Sequence, residues 1–175
     1  YLADGHHRYA SSLRLAEARP DLPGAGLMLA YVVPERDLTI LGYHKEVRNV
    51  EMTAEELDVE LRGCTGCDVE EAKSLDVTPN APGKAVVMFE GRAWILTRHE
   101  DSPEATDADW VNVHLLNRML GITDPRNDDR LRHMPEPQKP EGGWAVRAEA
   151  KPGRMMILIH PIPFGHIREV ADREG

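Results

Sequence analysis

The first nineteen residues, Tyr1-Leu-Ala-Asp-Gly-His-His-Arg-Tyr-Ala-Ser-Ser-Leu-Arg-Leu-Ala-Glu-Ala-Arg19, restrict this chain more than any other stretch. They read as the end of a strand, a sharp turn at Asp4-Gly5, and a helix over residues 6 to 18. Asp4 is a natural N-cap, because its carboxylate accepts from the free N–H groups of a first helical turn. Gly5 tolerates backbone angles that other residues resist. Tyr9, Leu13 and Ala16 recur at i, i+4 and i+7 and make one apolar stripe. Pro20 ends the helix, since the residue before a proline is pushed out of the helical region.

Asp4 to Arg8 crowd the helix start with polar or special residues. A helix N-terminus carries unpaired N–H groups and about half a positive charge, so it is a ready anion site. Arg8 adds a permanent cation, and His6 and His7 add charge when protonated. The segment reads as a phosphate- or carboxylate-binding loop. The alternative is a capped helix with a solvated first turn. His6 and His7 point about 100° apart on a helix and cannot ligate one metal side by side. Asp4 and His7 can converge, but local sequence fixes no second metal-type cluster, so no metal site is expected here.

A length of 175 residues suits one ordinary domain or two small lobes. The formal net charge is −9, from 30 acidic and 21 basic residues, which disfavours general nucleic-acid binding. No apolar run is long enough to span a membrane, and no signal peptide is legible. A cytoplasmic protein is expected. The chain opens on Tyr1, at what reads as a strand end, so a portion of a longer protein is expected.

Strand and helix patterns interleave along the rest. Gly26 to Val33 is an apolar run that reads as a buried strand, followed by a second strand over Leu38 to Tyr43. Thr53-Ala-Glu-Glu56 has the capping-box pattern and opens a helix to about Arg62, which Gly63 ends. Cys64 to Pro82 reads as loop. Lys84 to Phe89 and Ala93 to Thr97 read as a hairpin joined by Glu90-Gly91-Arg92. A helix capped by Asp107 or Asp109 should run through Leu120, with Trp110, Val113, Leu116, Asn117 and Leu120 on one side. Pro135 to Pro140 reads as an extended connector, Gly143 to Ala150 as a short helix, Arg154 to Ile159 as a buried strand, and Ile167 to Glu174 as a helix. The class expected is α+β, with a mixed sheet and interleaved helices. The expected organisation is an α+β domain over residues 1–134 that bears the turn, a connector over 135–140, and a strand–helix extension over 141–175 on the same core.

Other candidates have blander readings. Cys64-Thr-Gly-Cys67 has the C-x-x-C form but lacks a second ligand pair and the strand-then-helix frame of a redox motif, so it reads as two incidental thiols in a turn. His44 and Lys45 follow the second strand and are candidate pocket residues. His160 and His166 read as structural histidines, Met155 and Met156 as core, and Glu100 to Asp109 as a solvated loop.

Tyr1-Leu-Ala-Asp-Gly-His-His-Arg-Tyr-Ala10 resembles the signature of the prokaryotic family named domain of unknown function 1015. Leu41 to Val47 is similar to that family's Pro-x-His-Arg-x-Val segment, with Gly42 and Lys45 in place of Pro and Arg. Val113 to Ile122 resembles its helix ending in Leu-Gly-Ile, and Leu158 to Pro163 its Leu-x-Pro-x-Pro strand. The Asp-Gly-x-x-Arg turn is also similar to the nucleotide-binding turn of the ParB/sulfiredoxin-like fold, which free-serine kinases use for phosphoryl transfer. The resemblance implies a phosphotransferase that uses ATP or ADP, with magnesium as a candidate ion, on a small hydroxylated metabolite, free L-serine first. In that scheme Gly5, His6, His7 and Arg8 hold phosphate, and Asp4, His6 and His7 are the catalytic candidates. The rival is a non-catalytic nucleotide- or DNA-binding module, or a regulatory protein. The expected partners are a nucleotide and a small molecule, not nucleic acid or membrane.

Overall fold

The structure, a computed structural model, describes residues 4–100 and 106–174. The strand expected at Tyr1 to Ala3 lies outside the described residues. The chain divides into two compact units, residues 1–39 with 165–175, and residues 40–164.

The first unit holds α1 (His6–Ala18), a 3-10 turn (Glu35–Asp37) and all but the first residue of α5 (Phe164–Glu174). α1 has the predicted span, but its apolar stripe is not buried, and Tyr9 and Leu13 are about half exposed. The run over 26–33 is not a buried strand. It is irregular, and Leu27, Leu29, Tyr31 and Val32 are 80%, 98%, 93% and 86% exposed. The strand expected to follow begins only at Tyr43. An apolar run becomes a strand only where a neighbour takes up its N–H and C=O groups. Among the described residues this unit contains no strand.

The second unit is built on six strands: β1 (Tyr43–Val47), β2 (Cys67–Glu71), β3 (Lys84–Phe89), β4 (Arg92–Arg98), β5 (Leu131–Pro135) and β6 (Met155–Ile159). Their order is β2-β4-β3-β6-β1-β5. Every pairing is antiparallel, so the α+β class holds while the sheet is not mixed. The central strands β3 and β6 are buried on both faces, which explains their unbroken apolar sequences. Val87, Phe89, Met155 and Ile157 face one core with Leu57, Leu61, Trp94 and Leu115. Val86, Met88, Met156 and Leu158 face a second core with Met134, Trp144 and Ala148. Met155 and Met156 are thus both core, on opposite sides.

α2 (Ala54–Arg62) closes the first core and has its predicted capping box, with Thr53 accepting from the Glu56 N–H. α4 (Trp144–Glu149) covers the second. The β3–β4 hairpin turns on Glu90 and Gly91, both at positive φ, the geometry that suits a two-residue hairpin loop. Glu90 accepts from the Ala54 N–H at 3.1 Å and so ties the hairpin to the start of α2.

Three expectations about elements need correction. The stretch after Cys64 is not all loop, since β2 pairs with β4 there. The stretch before Pro135 is β5, and Glu136–Gln138 is a 3-10 turn in place of an extended link. Both strands are sheet edges, where charge and proline discourage further pairing. The third helix, α3 (Asp107–Trp110), is capped by Thr106 and continues as a π-helix over Val111–Met119. That wider winding buries Trp110, Val111, His114, Leu115 and Leu116 and leaves Asn117 exposed, unlike the predicted 3.6-residue stripe.

Candidate functional site

α1 starts without a side-chain cap. Gly5, not Asp4, is the N-cap, and its φ of 85° lies in the left-handed region. This conformation places Asp4 outside the helix. Its carboxylate accepts from the adjacent Gly5 N–H at 2.7 Å and pairs with Arg8 at 3.5 Å. The first intrahelical bond runs from the Tyr9 N–H to the Gly5 carbonyl. The N–H groups of His6, His7 and Arg8 therefore precede the helical ladder, with no side chain among the described residues capping them. A Cβ on Gly5 would lie 3.2 Å from both Nε and Nη2 of Arg8. The guanidinium thus folds back over the turn, close above Gly5. Asp4, His6, His7 and Arg8 are all exposed. The turn brings together an exposed cation, a carboxylate and a row of uncapped backbone donors.

His44 and Lys45 belong to the second unit. Successive strand residues point to opposite faces, so these two do not line one pocket. His44 is 4% exposed and sits edge-on to Trp144, with ring centres 4.9 Å apart. Its Nδ1 accepts from the Ile159 N–H at 3.1 Å, which leaves Nε2 to donate to Glu136 at 2.5 Å. Burial holds its pKa below the usual histidine range, against the pull of Glu136. Gly42 leaves the space that this ring occupies. A Cβ there would overlap the His44 ring and lie 3.1 Å from the Ile159 carbonyl oxygen. Lys45 is also 4% exposed, on the other face, where burial lowers its pKa and Asp109 opposes that shift.

Beside His44 lies a group that sequence reasoning missed. Glu46 is wholly buried, and its carboxylate accepts from Arg48 and Arg147, with Arg154 3.7 Å away. Burial pushes the Glu46 pKa up, but the bonds from Arg147 and Arg48 outweigh it and hold the carboxyl below its ordinary value. Glu136, Trp144 and Arg147 lie about a hundred residues further along the chain, so no local spacing announced them. A cavity of about 240 Å³ opens next to Trp144, lined also by Val77, Met88, Lys139 and Gly143. Neither His44 nor Lys45 lines it.

No helix is long and apolar enough to cross a membrane among the described residues. A family model described as protein of unknown function (DUF1015) matches residues 1–120. Neither the curated proteins nor the solved structures contain a match.

Proposed function

Since the chain belongs to the DUF1015 family, whose function is open, we propose from its own turn that it is a nucleotide-dependent phosphotransferase acting on a small hydroxylated metabolite. ATP or ADP is the donor, and free L-serine is the first candidate acceptor. One observation carries the reading: Gly5 starts α1 in the left-handed conformation with no side-chain cap, beneath the Arg8 guanidinium. Uncapped donors and a guanidinium together match the oxygens of a terminal phosphate. The similarity of the Asp-Gly-His-His-Arg turn to that of ParB/sulfiredoxin-like kinases supports the same reading.

Phosphoryl transfer asks mainly for positioning and charge neutralisation. The His6, His7 and Arg8 N–H groups cradle the phosphate, and Arg8 offsets its charge. The Asp4 carboxylate orients the acceptor hydroxyl, whose oxygen forms the new bond to phosphorus as the bridging P–O bond of the nucleotide breaks. Exposed His6 and His7 side chains stand ready to take the hydroxyl proton. A magnesium ion, when bound with the nucleotide, supplies further neutralisation. Asp4 is the carboxylate of this turn that would hold it, and one carboxylate with phosphate oxygens suits that ion.

The exposure of Asp4, His6, His7 and Arg8 also favours a second reading, a nucleotide-binding or ParB-like module without catalysis, or a regulatory protein. The net charge of −9 weighs against its DNA-binding form. Product analysis of the full-length protein separates the two. Incubation with ATP or ADP and serine should yield a phosphorylated acceptor, and Asp4→Asn should cut turnover by about 100-fold while nucleotide affinity holds or rises. Nucleotide binding with no transfer to any hydroxylated acceptor would leave only the binding module.

A further inference from the structure

Gly63 closes α2, and Cys64-Thr65-Gly66-Cys67 turns the chain into β2. Gly66 has a φ of 90°, and a Cβ there would sit 3.8 Å from Trp110 Nε1 and 3.9 Å from His114 Cε1. The turn therefore packs against the helix over 107–119, where the Trp110 and His114 rings stack with centres 5.2 Å apart. Cys64 Sγ lies 4.0 Å from His114 Nδ1, and Arg118 Nη1 lies 3.5 Å from the same nitrogen. Both cysteines are free. Cys64 is half-buried, and Cys67 is buried at the head of β2. The buried Trp110 indole N–H, against this turn, has no hydrogen-bond partner among the described residues.

We propose that Cys64 and Cys67 form a thiol–disulfide exchange site, in which Cys64 attacks a low-molecular-weight disulfide and Cys67 resolves the adduct. The position within the turn divides the roles, since the half-buried sulfur meets the disulfide and the buried one waits behind it. The Cys64 thiolate displaces one thiolate from the disulfide and forms a mixed disulfide. Cys67 then gives up its proton and attacks the Cys64 sulfur, forming the Cys64–Cys67 bond and releasing the second thiolate. The protein loses two thiol hydrogens, and the small disulfide becomes two thiols.

The surroundings support this order. The neighbouring Cys67 thiol lowers the Cys64 pKa to about 6, against burial and with help from His114 and Arg118. The same neighbour and burial push Cys67 up. Capping the Cys64 sulfur in the mixed disulfide removes its charge, and Cys67 then ionises more easily. Cys64 follows a helix C-terminus, so its activation rests on Cys67, with help from His114 and Arg118, and not on a helix dipole. The strand-then-helix frame of familiar redox motifs is absent, which is why the sequence read as two incidental thiols.

The test equilibrates the full chain with defined ratios of reduced and oxidised glutathione, then quenches with acid, alkylates free thiols and maps them by mass spectrometry. One Cys64–Cys67 disulfide per chain is expected, its fraction following the ratio and reversing with excess reduced glutathione. Cys67→Ala should accumulate glutathione on Cys64, and Cys64→Ala should leave Cys67 unmodified while folded. His114→Gln should slow Cys64 alkylation at pH 6 by about twofold, because lost thiolate outweighs gained nucleophilicity. Should Cys67→Ala fail to fold, the wild-type titration decides alone. Both thiols staying free at every ratio in the folded chain, or Cys67 reacting as fast as Cys64, would overturn the proposal.

Discussion

Gly42 and Gly5 are each required, for different reasons: Gly5 by its backbone φ of 85°, and Gly42 by a side chain that occupies the place of the missing methyl group. At Gly42 that side chain is the His44 ring, bonded to Glu136 and to the Ile159 N–H. Gly42→Ala must displace the ring and should cost about 1–3 kcal/mol in urea unfolding, the usual scale of overpacking. His44 also makes stability depend on pH. Burial lowers its folded pKa below the unfolded value, so the unfolded chain binds more protons below about pH 6.5. Stability should be full above that pH and fall as pH drops through it. His133, lowered by burial and by Lys45, acts in the same direction. Unfolding midpoints measured from about pH 7 down to 5 should therefore decline, and His44→Gln should flatten the decline. An unchanged slope in that variant would refute the assignment.

At the scale of elements, β1 is held by charge as much as by apolar packing. Removing the Glu46 charge leaves Arg48, Arg147 and Arg154 facing one another around a buried site. Glu46→Gln should cost about 3 kcal/mol, the lower end for a broken buried pair because two of the arginines are a third exposed. Thr53→Ala, which removes the α2 cap, should cost about 1 kcal/mol. What was legible in the sequence divides along the same line. The Thr53 capping box, the Glu90-Gly91 hairpin and the apolar β3 and β6 are specified by residues next to one another. The charged edge strands β2 and β5 take their conformation from partners elsewhere in the chain. The π-helix over Val111–Met119 defeats any pattern that assumes 3.6 residues per turn, and it is this winding that brings His114 to Cys64.

For the molecule as a whole, the two units hold their backbones differently. Among the described residues, 28–33 have no backbone hydrogen bonds that secure them, while β3 and β6 pair on both sides. Hydrogen exchange should be fast at the former and slowest at the latter. The apolar sequence of that run predicted a strand correctly in composition and wrongly in context, because no neighbour among the described residues of its unit supplies a ladder. The turn into α1 at Asp4-Gly5 was legible from residue types alone, whereas the shift of the cap from Asp4 to Gly5 was not. That shift favours the proposed phosphate site, since it leaves the first-turn donors without an N-cap side chain. Calorimetric titration of full-length Arg8→Ala with ATP and ADP is the decisive measurement for the proposed phosphate site. Binding should weaken by about 1.5–3 kcal/mol, the scale of a hydrogen bond to a charged group, with the fold intact. Unchanged nucleotide affinity in that folded variant would contradict it and leave α1 as a helix with a solvated first turn.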